Sequence, residues 1–163
     1  KQISQYVLLK SGIDHKTLDR LKKNSIMVNS ISTSFIRGLC DEIGYTTSVD
    51  SDGDILIRLS ADNDFGHDVL VFIRVSDNKL LRIFSLTDFT IGQHDVGKTL
   101  VKLNEYNHMT AYMTAYLQND GRVVVERLEI IDVNVSEEFI KENCIKACAS
   151  ISWNFFKDNF SEY

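Results

Sequence analysis

Residues Gly92-Gln93-His94-Asp95-Val96-Gly97-Lys98-Thr99 fit the spacing of a phosphate-binding loop: glycine, four residues, then Gly-Lys-Thr. In such a loop backbone N–H groups cradle phosphates at a helix N-terminus, the lysine reaches the terminal phosphates and the hydroxyl holds magnesium. Gly92, Gly97, Lys98 and Thr99 are therefore the candidate nucleotide-binding residues. A true phosphate loop also follows a buried strand of a parallel sheet, and a later strand ends in a metal-holding aspartate. Here the flanking patterns read as hairpins, which pair antiparallel, and no such later strand follows. Nucleotide binding is the second of two functional readings.

Other chemistry-bearing residues fall short of a reactive set. His67-Asp68 and His94-Asp95 place a base beside a carboxylate, but no nucleophile is marked out to converge on them. Cys144 and Cys148 share a helix face at i, i+4, yet no His or Cys pair nearby completes a metal site. They read, with Cys40, as buried hydrophobes. Asp50-Ser51-Asp52-Gly53-Asp54 has the look of a calcium loop. The sixth position is Ile55 and the twelfth is Ala61, so a hairpin turn is the better reading. No catalytic residue, metal or cofactor is expected.

The elements that must position these residues follow from the hydrophobic period. Thr33 or Ser34 caps a helix with Phe35, Ile36, Leu39, Cys40 and Ile43 on one side, closed by Gly44. Strands at 45–49 and 54–60 turn at Asp52-Gly53. A second pair, 68–75 and 79–86, is so continuously apolar that it predicts central strands covered for much of their length on both faces. A short helix is expected over 98–108, with Leu100 and Leu103 inward. A third hairpin, 111–118 and 122–130, turns at Asn119-Asp120-Gly121. The fold class is α+β, an antiparallel sheet built from hairpins with flanking helices.

The last helix is capped by Ser136 and runs to about Phe160. Ile140, Cys144, Cys148, Ile151 and Phe155 make one apolar stripe. Ile145, Ala149, Trp153, Phe156 and Phe160 make a second, more than a right angle away. One sheet buries one stripe of a helix. The spare stripe predicts a protein interface at Ile145, Trp153, Phe156 and Phe160, and with it a homodimer.

Charge and composition set the limits. The net charge is −5, distributed as +4 over the first 30 residues and −9 over the remainder. Residues 1–31 read as a basic helical arm and connection, with a helix from Asp14 to about Asn24, and residues 32–163 as the main domain. An acidic domain argues against nucleic acid as a partner, so Phe89, Tyr106, Tyr112 and Tyr116 read as sheet aromatics rather than base-stacking platforms. No apolar run reaches the length of a membrane span. Three cysteines, an odd number, point to reduced thiols and a cytoplasmic setting. The first 15 residues show no apolar signal core.

The order helix, two hairpins, short helix, hairpin, long helix resembles the YbjN-type family of bacterial sensory transduction regulators. Three segments carry the resemblance: Leu103-Asn104-Glu105-Tyr106-Asn107, the strands around Asn119-Asp120-Gly121-Arg122-Val123-Val124-Val125-Glu126, and the helix from Ser136. Together with the strands from Tyr45 it covers about residues 33–160. The resemblance implies a fold like that of type III secretion chaperones and a non-enzymatic, dimeric module that binds protein partners. It implies no catalytic residue.

Overall fold

The computed structural model describes residues 27–131 and 135–163. The helix expected between Asp14 and Asn24 lies outside them. Chain order is β1 (Met27–Val28), α1 (Thr33–Glu42), β2 (Thr47–Val49), β3 (Ile55–Leu59), β4 (Val69–Ser76) and β5 (Leu80–Thr87). A 3-10 turn (Gln93–Asp95), α2 (Val96–Met109), β6 (Thr114–Leu117), β7 (Val123–Ile130) and β8 (Val135–Ser136) follow. The last helix comprises α3 (Glu137–Phe139), a π-helical stretch (Ile140–Lys146) and α4 (Ala147–Phe160).

All three hairpins form, and they join into one antiparallel sheet of order β2-β3-β4-β5-β7-β6. The last pair is reversed in space: β6 takes the edge, and β7 returns between it and β5. Local chemistry explains the turns. Gly53 and Gly121 sit at positive φ, as does the pair Asp77 and Asn78, which makes the tight turn between β4 and β5. Gly121 is also a close-approach position, since a Cβ there would lie 2.9 Å from the Ile91 carbonyl oxygen.

Ser32, one residue earlier than expected, caps α1 by accepting from the Phe35 N–H. Gly44 takes up positive φ just after the helix, as anticipated. The core also reaches further toward the N-terminus. Val28 and Ile31, placed in a connection by the sequence, are buried; the Ile31 N–H donates to the Asn78 carbonyl, and β1 pairs with β8.

The helices lie on one side of the sheet. Val69, Val71, Ile73, Leu81 and Ile83 point toward them and are buried. At the centre of that layer Ser85 donates a 2.7 Å hydrogen bond to Ser152 and contacts the Val125 carbonyl, tying α4 to β5 and β7. Among the described residues no helix is long and apolar enough to cross a membrane.

Candidate functional site

Three of the four expected interface residues are inside the chain. Ile145, Phe156 and Phe160 are buried, and only Trp153 keeps part of its ring exposed. Helix and sheet alone could not have covered both stripes, but two loops and a second helix finish the job. Phe65 meets Trp153 edge-on at 5.7 Å, and Phe89 lies 6.0 Å from Phe160. Tyr106 of α2 packs edge-on against Phe155 at 4.5 Å, and the Lys102 ammonium stands over Phe160. Of the spare stripe only Trp153 therefore stays partly exposed, because loop aromatics enclose the rest. Trp153 instead lines a shallow groove of about 430 Å³ with Tyr45, Arg58, Leu59 and Ala149.

The Gly92–Thr99 segment also departs from what its pattern suggests. The residues enter a 3-10 turn and the first turn of α2, and the preceding strand belongs to an antiparallel sheet. Gly92 and Gly97 stay out of the positive-φ region. Thr99 is buried, and Lys98 is bound to Glu162 at 3.1 Å. Glu162 also takes Lys102 at 2.9 Å, and the two ammonium groups hold its carboxyl down at about 2. Lysine and hydroxyl thus diverge instead of converging on a phosphate.

The remaining candidates are structural. Cys40, Cys144 and Cys148 are free and buried, and burial pushes each thiol up to about 12, far from a nucleophilic thiolate. Among the described residues no group of three His, Cys, Asp or Glu side chains could hold a metal ion. His67 pairs at 2.7 Å with Asp88, not with its neighbour Asp68, and lies between the rings of Phe65 and Phe89. Asn107 has a role that its sequence context only hinted at. Its side chain donates to and accepts from the Ala115 backbone, 2.8 Å each way, and so occupies the outer edge of β6. The π-helical stretch leaves the Asn143 carbonyl to accept from Tyr112 and Arg127.

What the sequence missed is the other face of the sheet. The runs in β4 and β5 suggested cover on both sides, but among the described residues no helix lies on the second side. Leu56, Phe72 and Phe84 stand side by side across β3, β4 and β5 there, with Leu70 and Leu86 in the next row. All five are half-buried. Phe72 and Phe84 stack with ring centres 5.1 Å apart. Leu128 and Ile130 continue this face onto β7 and are among the most exposed large apolar side chains.

Three arginines border the apolar rows. Arg74 forks onto Asp54 at 2.8 and 2.7 Å, and Arg82 binds Glu126 at 2.9 Å while lying 4.8 Å over the Phe84 ring. Arg58 pairs with Asp68 at the rim. These bonds, with the negative charge beside them, push the Arg74 and Arg82 pKa values further up, so both stay cationic. The face can bind by apolar contact and by charge. It shows no converging acid, base and nucleophile.

A family model described as "Putative bacterial sensory transduction regulator", YbjN, matches residues 34–145. The chain belongs to the YbjN family. Its fold is similar to the crystal structure of YbjN from E. coli, described as a putative transcription regulator. The two superpose with a TM-score of 0.61 over 81% of this chain and 94% of that one, at 17% sequence identity. No curated protein matches the sequence. The family description supports a regulatory role, and the α+β antiparallel fold is that of the family.

Proposed function

We propose that this YbjN-family chain is a non-enzymatic regulator that acts by binding another polypeptide on the bare face of its sheet. One observation carries the reading: the half-buried rows Leu56–Phe72–Phe84 and Leu70–Leu86 on the side that lacks helices. A contiguous apolar patch on a soluble domain marks an interaction surface. The buried, protonated thiols and the divergent Gly92–Thr99 segment are consistent with a role that needs no chemistry. The setting is the cytoplasm, where three reduced cysteines persist.

The homodimer expected from the sequence is kept in this reading, but its contact moves. Ile145, Phe156 and Phe160 serve the core, so the second copy is assigned to the Leu128–Ile130 corner, where apolar side chains are exposed. Trp153 and its groove are a lesser contact on the opposite side.

A photo-crosslinking amino acid at position 84 tests the main claim in cells, with position 105 on the outer surface of α2 as the control. The expected result is a discrete polypeptide adduct at 84, absent at 105 and lost with Phe72→Asp. No adduct at 84, or equal adducts at both positions, would end the proposal. Sedimentation at high micromolar concentration tests the dimer, with Leu128→Asp and Ile130→Asp together expected to give a folded monomer.

A further inference from the structure

We infer that two copies of this chain pair β7 with β7, antiparallel and edge to edge, over Leu128–Ile130. The dimer itself rests on the reading above; what is added is the contact that makes it.

β7 is longer than the strand beside it. It runs from Val123 to Ile130, while β6 accompanies it only from Val123 to Glu126. The chain before β6 arrives from the helix layer: Met113 is buried, and the Tyr112 hydroxyl donates to the Asn143 carbonyl. A cleft of about 420 Å³ opens where the two part, between residues 111–114 and 126–129. Beyond it, among the described residues, no strand lies along the outer edge of Arg127–Ile130.

Register tells which backbone groups that edge presents. Successive residues of an antiparallel strand turn their N–H and C=O groups to opposite sides. The Ile131 N–H donates inward to the Lys79 carbonyl, and the Arg122 carbonyl accepts from the Gln118 N–H on the outer side. The pairing is unbroken with β5 from Val125 to Ile130 and with β6 from Val123 to Glu126. Odd-numbered residues of β7 therefore bond β5, and even-numbered ones face outward. Val124 and Glu126 turn their outward groups to β6, whereas Leu128 and Ile130 present theirs bare. Their side chains are bare too, 59% and 67% exposed. An edge of unpaired backbone groups is a template for another strand.

β7 of a second copy matches this template. Placed antiparallel about Glu129, the two strands set Leu128 against Ile130 of the second copy and Ile130 against its Leu128. Each of these pairs exchanges both of its N–H···O bonds, so neither residue keeps an unpaired outward group. Each pair also brings two exposed apolar side chains together on one face. Centring the pairing on Leu128 instead would seat Ile130 of one copy on Glu126 of the other, whose outer edge Thr114 already holds. Glu129 meets its counterpart on the helix side, where each carboxylate is already bound by its own Arg127 at 3.0 Å. Closed two-fold pairing is the commonest association of identical chains. Here it covers the bare stretch of both β7 strands and lays the two helix-free faces side by side as one wider surface.

The test uses the full chain. Across the Glu129 pair, which exchanges no hydrogen bonds, the Cα atoms would lie about 4.5 Å apart, inside the roughly 4.4–6.8 Å that a disulfide spans. Leu128 and its counterpart would be two residues out of step and about 8 Å apart, too far to bridge. With copper–phenanthroline as oxidant at high micromolar concentration, Glu129→Cys should form a covalent dimer at least about tenfold faster than Leu128→Cys. The parent chain should form none, since Cys40, Cys144 and Cys148 are buried. Leu128→Pro removes an outward N–H and no bond to β5, a change that edge strands accept. It should sediment as a folded monomer.

No disulfide at position 129, or equal rates at 129 and 128, overturns the inference. So does a folded Leu128→Pro chain that dimerises as tightly as the parent, and the disulfide decides alone should that variant fail to fold. A parent chain that stays monomeric at high micromolar concentration also overturns it, and leaves the binding face intact where position 84 still gives its adduct. A dimer linked through position 129 with no adduct at 84 keeps this contact and removes the function proposed above.

Discussion

The placement of Phe156 and Trp153 gives the sharpest contrast between a core and an interface. Phe156 is fully buried, edge-on to Phe155 at 5.1 Å and 6.2 Å from Phe160. Phe→Ala in a core costs about 3–5 kcal/mol, and each well-placed aromatic pair adds roughly 0.5–1.5 kcal/mol beyond area. Phe156→Ala should therefore lose about 4–5 kcal/mol. In a domain of this size that corresponds to a fall in Tm of about 8–20 °C. Trp153 is half-buried with one principal ring partner, Phe65. Trp153→Ala should cost about 2 kcal/mol. Urea unfolding followed by circular dichroism measures both, which matters because Trp153 is the chain's single tryptophan. Sedimentation on the same samples reports oligomeric state. The reasoning is refuted if Phe156→Ala unfolds at the wild-type midpoint while its oligomeric state changes. That pair of results would mean that the second stripe serves another molecule and not the core.

Three further outcomes follow from other contacts. Asn107→Ala removes both bonds to Ala115 and bares the edge of β6, so it should lose about 1–2 kcal/mol and aggregate at lower temperature than the parent; calorimetry with light scattering checks this. Gly121→Ala places a Cβ 2.9 Å from the Ile91 carbonyl at positive φ, and should lower the urea midpoint by more than Gly53→Ala, whose Cβ meets nothing within 4 Å. Glu162 is held at about 2 by Lys102 and Lys98, below its ordinary value of 4.5. Its contribution to stability is therefore full above about pH 4.5 and is lost as pH falls toward 2. Carboxyl NMR titration should find that low midpoint, and Lys102→Ala should raise it.

The elements were legible because their signals are local. Gly44, the Asp-Gly turns and Ser136 each act within a few residues, and the change from a period of 3.6 to 2 after Gly44 marks helix from strand. Boundaries shifted by one to three residues where caps competed, as with Ser32 against Thr33. The family resemblance was also within reach, since it depends on the order of those elements. The candidate site was not. The apolar runs of β4 and β5 say that both faces are greasy, but they do not say whether anything lies on the second one.

By itself, the sequence determined the hairpins, the helices and the α+β class, since turn residues and hydrophobic period act on a chain before it meets itself. Only the tertiary structure decided which strand inserts beside β5, which loops seal the last helix, and which face is left bare. Those outcomes depend on residues far apart in the chain, such as Phe65 against Trp153 and Phe89 against Phe160. A helical wheel counts the apolar residues on one element, whereas burial is shared among every element that can reach them.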